Sequence, residues 1–261
     1  MAGRVVIAAV CLGIAIPNGA LADHSHHHEA ATTEAPGSAW SASLGLLAAS
    51  FSTQSFVGDY QGLTPGVHWA HTRFSAASGI GAYRLRKNGA LYHGVGDLFV
   101  QGQAVLVGHH ARSAGIVFAM SAPTGSQRDG LGMGHVMVMP ALWGSWSAGE
   151  VTLAASAGYG HAIGASQDGE HPHGTGPIVD PMNMRELTWS ATGEVSVARA
   201  LRLGARLGGA IALEDSGVHR TVGVARAVWT VGRVDTSAEL QLGIAGDPFI
   251  ARGVIETALR F

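Results

Sequence analysis

The chain has 261 residues and a formal net charge of −2, and 47% of its residues are hydrophobic while only 13% are charged. This charged fraction is far below the roughly 25% of ordinary soluble domains, which argues against a water-soluble globule, and the absence of a basic excess argues against a nucleic-acid partner. Beyond the first 22 residues, no apolar run approaches the roughly 18 residues that a membrane-spanning helix needs, so a closed β-barrel is the remaining way to cross a membrane.

Residues 1–22 have the three parts of a secretory signal peptide. Arg4 supplies the positive charge, residues 5–16 form a short apolar core, and Ala20-Leu21-Ala22 is a cleavage site with small residues. We expect Sec-type export and cleavage before Asp23, with an uncleaved anchor or lipidation at Cys11 as alternatives. Because Cys11 is the only cysteine, the mature chain would contain no disulfide and no thiolate metal site.

Residues 23–38 predict a disordered periplasmic tail, because they are rich in His, Ala, Thr, Glu, Pro and Gly and show no periodicity. Four closely spaced histidines on such a tail are candidate ligands for Zn²⁺, Cu²⁺ or Ni²⁺: His24, His26, His27 and His28. The alternative is a tail that is simply solvated.

Residues 39–261 predict one all-β domain, a transmembrane antiparallel up-and-down β-barrel of about 12 strands. From Trp40 onward, apolar residues recur at every second position in runs of about ten, which is typical of strands that cross a bilayer. In the predicted strands 200–213 and 233–244 this pattern predicts one hydrocarbon-facing row and one opposite row. The hydrocarbon-facing rows are Leu201, Leu203, Ala205, Leu207, Gly209, Ile211 and Leu213, and Val234, Thr236, Ala238, Leu240, Leu242 and Ile244. The predicted strands are 40–52, 65–76, 79–87, 94–107, 110–122, 133–147, 149–163, 184–197, 200–213, 218–231, 233–244 and 250–261.

The connections between these strands alternate in length. Those after even-numbered strands are very short, whereas those after odd-numbered strands include 53–64, 88–93, 123–132 and 164–183. Short periplasmic turns and long external loops are typical of bacterial outer-membrane barrels. A soluble β-sandwich or periplasmic barrel also alternates, but it would need more charges on its solvent face.

The last predicted strand, 250–261, alternates and ends at the aromatic residue Phe261. It resembles the carboxy-terminal targeting strand that bacterial barrel-assembly machinery recognises in outer-membrane proteins. The resemblance implies that this machinery and outer-membrane lipid are partners of the chain.

Residues 94–160 contain short glycine-rich motifs in a characteristic order. They are Gly94-Val95-Gly96-Asp97, Ala122-Pro123-Thr124-Gly125, Gly130-Leu131-Gly132-Met133-Gly134, Pro140-Ala141-Leu142 and Ala157-Gly158-Tyr159. This order resembles the outer-membrane barrel family named after the meta-cleavage pathway of phenol degradation. The resemblance implies transport of small, often hydrophobic, molecules, and it brings no catalytic residue. Physically the motifs need only a structural role, in which Asp97 caps a turn and glycines allow close approach.

Two further groups of side chains are candidate metal ligands. His135, Met137 and Met139 are spaced by two, so they share the lumenal face of one strand, and imidazole with thioether suits Cu(I). The alternative is that methionine fills a narrow lumen. The second group lies at or within the external loop 164–183, beside Asp168, Glu170 and Asp180: His161, His171, His173, Met182 and Met184.

The sequence therefore predicts an outer-membrane channel or transporter for a small solute, with copper or zinc as the first metals to test. The competing interpretations are a non-transporting surface or metal-binding barrel, or a barrel enzyme acting on lipid. We expect no enzyme, because no nucleophile elbow, nucleotide loop or His-Glu-x-x-His motif is present.

Overall fold

The computed structural model describes residues 39–52, 56–109, 111–164, 179–215, 217–246 and 249–261. The predicted signal peptide (1–22) and histidine-rich tail (23–38) lie outside these residues. The strands are β1 (Ala39–Ser52), β2 (Val57–His71), β3 (Phe74–Gly79), β4 (Ala82–Lys87), β5 (Ala90–Val95), β6 (Leu98–His109), β7 (Arg112–Ala122), β8 (Val136–Ala148), β9 (Val151–Ile163), β10 (Arg185–Ala198), β11 (Leu201–Ala212), β12 (Arg220–Val231), β13 (Val234–Ala245) and β14 (Phe249–Arg260).

The strands form one closed antiparallel barrel, because β1 pairs with both β2 and β14. Strands β3 and β4 pair with different parts of β2 and are two halves of one wall strand, and β5 and β6 likewise form one interrupted strand. The wall therefore has twelve strands, which confirms the predicted fold class. Within the described part of the chain, no helix is long and apolar enough to cross a membrane.

Each of the two interruptions has a local cause. The break at Ile80 lies opposite Pro65, which has no N–H to donate, so that only the Ile80 N–H to Pro65 carbonyl bond remains, at 3.3 Å. The second break lies at Gly96 and Asp97. The pairing of β6 with β3 is shifted by one residue relative to the pairing of β5 with β4, as a β-bulge would produce.

Five two-residue connections lie at the end of the barrel where the wall also begins and ends, and we call this the short-turn end. They are 72–73, 110–111, 149–150, 199–200 and 232–233. The opposite end, which we call the loop end, carries the longer connections 123–135 and 164–184. The predicted alternation is thus confirmed for the connections 123–135 and 164–184, whereas the predicted long loops 53–64 and 88–93 are not found.

Some predicted boundaries were wrong on the amino-terminal side. The predicted loop 53–64 is mostly strand, since β2 begins at Val57, and the turn expected near 77–78 lies at 72–73. The predicted loop 88–93 is a two-residue turn in which Asn88 and Gly89 both have positive φ, as a type I′ hairpin requires. The outward residues Asp59 and Gln61 of β2 are polar, so the apolar period of two is absent there. This absence explains why 53–64 was predicted as a loop.

The outward face of the wall is apolar, whereas many inward side chains are polar. On β13, Leu240 and Ile244 point outward and are 51% and 61% exposed, whereas the inward Gln241 is fully buried. This arrangement confirms the faces predicted for β13, and the same holds for β11. Each Å² of apolar surface costs about 25 cal/mol in water, so a wall with such outward side chains is stable only in hydrocarbon.

Candidate functional site

The half of the interior near the short-turn end is polar. Hydroxyl groups pair across neighbouring strands, with Ser113 2.7 Å from Ser145 and Ser156 2.8 Å from Ser190. On the opposite wall, charged side chains pair: Arg226 lies 3.0 Å from Glu239, and Arg260 lies 3.3 Å from Asp235. The period of two places these groups inside because the apolar residues between them face outward.

The half near the loop end is closed by packed apolar side chains, which we call the apolar plug. Its buried members are Leu47, Ala49, Phe51, Tyr60, Tyr83, Leu85, Leu131, Val179, Val222, Val224, Phe249 and Val254. Leu131 and Val179 come from the 123–135 connection and from segment 179–184 rather than from the wall, so these two segments fold into the barrel. The Tyr60 and Tyr83 rings meet edge to face at 6.3 Å, a favourable aromatic geometry.

The Asp97 carboxylate holds the 123–135 connection inside the barrel. One oxygen accepts the Gly125 N–H at 2.9 Å, and the other accepts the Met133 N–H at 2.7 Å. The Thr124 hydroxyl donates to the Gly96 carbonyl at 2.7 Å and accepts the Leu98 N–H at 2.8 Å. We call these contacts of Asp97 and Thr124 the Asp97 latch. It brings together residues from three of the glycine-rich motifs, and the Asp97 carboxylate caps backbone N–H groups of this distant connection rather than those of a local turn.

A buried ion pair anchors the second inward segment, 179–184. Arg220 lies 2.6 Å from Glu186, and both side chains are almost fully buried. The same carboxylate oxygen accepts a bond from the Asn183 side chain at 2.7 Å, and Arg220 also donates to the Pro181 carbonyl. Breaking one partner of such a pair costs about 3–5 kcal/mol, so segment 179–184 is firmly attached to β10 and β12.

Four methionines meet beside the apolar plug, and we call them the methionine cluster: Met133, Met137, Met139 and Met182. The first three are buried together with Phe99 and Ala119, and Met182 packs against them. Sequence reasoning grouped Met137 with Met139 and assigned Met182 to the loop group, but it missed Met133. Met133 precedes His135 by two residues, so extension of the same period would have found it.

The other predicted ligands divide by location. His135 is buried at 7% exposure. His161 is exposed on the outward face of β9, where its ring stacks on Tyr159, away from the methionine cluster. Met184 is half-buried and its N–H donates to Glu214 at 2.8 Å.

The remaining predicted metal ligands lie outside the described residues: His24, His26, His27, His28, His171 and His173. Where the structure describes the chain, no three His, Cys, Asp or Glu side chains come together in a metal-binding group.

Phe261 follows β14 at the seam of the barrel. Its N–H donates to the Trp40 carbonyl at 2.9 Å and its side chain is exposed. The last strand is thus part of the closed wall, while its recognition by assembly machinery stays a prediction.

No family model and no curated protein sequence matches the chain. Among solved structures, an outer membrane channel from Pseudomonas putida F1 is similar with a TM-score of 0.64 and 13% identity, over 87% of this chain and 97% of that one. The translocator domain of autotransporter NalP from Neisseria meningitidis has a TM-score of 0.55 and 14% identity, over 88% and 90% of the two chains. A KdgM porin has a TM-score of 0.54 and 8% identity, over 85% and 99%.

At these identities the likeness shows the fold alone, which is that of outer-membrane barrels. The three similar structures are a channel, a translocator and a porin rather than enzymes.

Proposed function

We propose that this protein is a channel for small solutes in the outer membrane of Gram-negative bacteria. In this proposal the loop end faces outside and the short-turn end faces the periplasm, which Sec-type export followed by barrel assembly would produce. The observation that carries the proposal is that the 123–135 connection places Leu131 in the apolar plug, yet this connection does not belong to the hydrogen-bonded wall. It can therefore move without opening the barrel.

The two halves of the interior indicate the class of solute. A molecule entering from outside meets the apolar plug first and the hydroxyls and ion pairs afterwards. This order suits a small solute with an apolar body, and it agrees with the resemblance of residues 94–160 to the phenol-pathway family. We propose membership of that family because three of its motifs meet at the Asp97 latch.

The direct test is solute flux through the purified protein in liposomes, with Asp97→Ala as the key variant. Loss of the carboxylate removes both acceptors that hold the 123–135 connection, so we expect faster uptake of small aromatic solutes and a larger single-channel conductance. Asp129→Ala is the matched control, because Asp129 bonds only Ser126 of the same connection among the contacts described. Absence of flux from both the parent and Asp97→Ala proteins would refute the channel and favour a surface-binding barrel or an enzyme.

A metal-linked form of the channel is a second candidate, and the methionine cluster favours it. Thioether sulfur is a soft ligand that selects Cu(I) over Zn²⁺. Beside the cluster, one carboxylate oxygen of the fully buried Glu186 accepts no hydrogen bond from the described residues. The alternative, that methionine only fills space, remains open because its thioether side chain suits irregular cores.

The double variant Met137→Leu/Met139→Leu separates the two interpretations, since leucine keeps volume and packing but lacks sulfur. A copper channel would lose Cu(I) flux while keeping flux of aromatic solutes. Unchanged Cu(I) flux would rule out a copper path through these methionines. Any copper binding that the double variant retains would then be assigned to the predicted histidine tail.

A further inference from the structure

Charged side chains lie on the outward face of the wall near the loop end. We call Asp59, Gln61, Arg84 and Arg86 the rim patch. The arginine side chains are 45% and 57% exposed, and Arg86 is two residues from the Asn88 turn. Elsewhere along the described strands the outward positions are mainly apolar or small, so charges on this face need a specific explanation.

The strand register arranges the outward side chains of β2, β4 and β5 in three rows. The first two rows, nearest the loop end, are Asp59 with Arg86 and Leu91, then Gln61 with Arg84 and His93. The third row, toward the middle of the wall, is Leu63 with Ala82 and Val95. From the loop end toward the middle of the wall, the outward surface thus changes from charged to apolar within a few residues. A lipid leaflet changes in the same way from its headgroups to its acyl chains.

The rim patch keeps a positive charge after its internal contacts are counted. Arg86 Nε donates to Asp59 at 2.7 Å, and a second Arg86 nitrogen also contacts that carboxylate. Arg84 donates to the Gln61 side chain at 2.6 Å and lies 3.8 Å from Asp59. Two guanidinium groups face one carboxylate, and these contacts fix the guanidinium orientation before any ligand arrives.

We propose that the rim patch binds the phosphate groups of the glycolipid in the outer leaflet. Arginine forms paired hydrogen bonds with phosphate, and a cation on the membrane-facing wall meets anionic headgroups at this height. The lipid is favoured over a free phosphate because Leu63 and Val95, exposed by 42% and 46%, lie one row below Arg84, where the acyl chains of a bound lipid would contact them. The inference rests on the outer-membrane location proposed above, and it is independent of transport.

The test measures binding of diphosphorylated lipid A to the detergent-purified barrel by native mass spectrometry. We expect Arg84→Gln/Arg86→Gln to weaken binding about tenfold or more, since both groups that donate charge-assisted hydrogen bonds to the phosphate are lost. Dephosphorylated lipid A should bind the parent and the variant equally weakly. The matched control is Arg185→Gln, which removes an exposed arginine from the outward face of β10 at the same end.

Three results would overturn the inference. They are equal binding by the parent and the double variant, an equal loss in Arg185→Gln, and full competition by millimolar inorganic phosphate, which would indicate a phosphate site without lipid specificity. A heat-modifiable gel shift confirms that each variant is folded. Solute flux should be unchanged in the double variant, so failure of lipid binding and failure of the channel proposal are distinguishable.

Discussion

At the scale of single residues, the buried Arg220–Glu186 pair should dominate the stability of the interior. We predict that Arg220→Ala destabilises the barrel by about 3–5 kcal/mol, because Glu186 would remain as a buried, unpaired charge. The midpoint of urea unfolding in detergent measures this effect. Arg86→Ala is the comparison, since the exposed Arg86–Asp59 pair should contribute about 1 kcal/mol or less. Similar losses in the two variants would contradict the prediction.

Glycines of neighbouring strands should respond differently to the same substitution. A Cβ on Gly115 of β7 would lie 2.0 Å from the Ala104 carbonyl oxygen, whereas one on Gly102 of β6 would meet nothing within 4 Å. We expect Gly115→Ala to cost about 1–3 kcal/mol through crowding and to lower the yield of folded barrel. Gly102→Ala should fold as the parent does, as judged by the heat-modifiable gel shift.

At the scale of elements, the 123–135 connection should depend on its one fully buried leucine. Leu131→Ala removes a side chain that is 1% exposed, and comparable core truncations cost about 2–5 kcal/mol. Because this connection is not part of the wall, we expect a higher conductance and faster proteolysis of the connection with an unchanged gel shift. A variant with parental conductance would show that Leu131 does not close the passage.

The elements also show what a sequence pattern can reveal. Alternation predicted the faces of β11 and β13 because hydrocarbon selects every second residue over a whole strand. The turn at 72–73 was misplaced because small residues such as Ala76 and Ala77 occupy both faces of β3. The inward path of the 123–135 connection could not be predicted, since Asp97 and Gly125 are 28 residues apart and no local periodicity encodes their contact.

At the scale of the whole molecule, the closed wall makes a prediction about cross-linking. Ala48 of β1 lies opposite Gly253 of β14, and a Cβ on Gly253 has open space around it. In a chain whose single cysteine, Cys11, is replaced by Ser or removed with the predicted signal peptide, Ala48→Cys/Gly253→Cys should form a disulfide on mild oxidation and change mobility on a denaturing gel. Ala48→Cys/Ala225→Cys, whose strands are not paired, is the control that should stay reduced.

The pairing of β1 with β14 also limits how early the barrel can close during folding. These strands are the first and the last of the described chain, so β1 is synthesised long before the strand that pairs with it. Contacts with such large sequence separation form slowly, and until then the apolar outer face of every strand is exposed to water. The apolar outer faces must therefore be kept from aggregating until β14 has joined β1, and a fragment lacking β14 should fail to form the folded barrel.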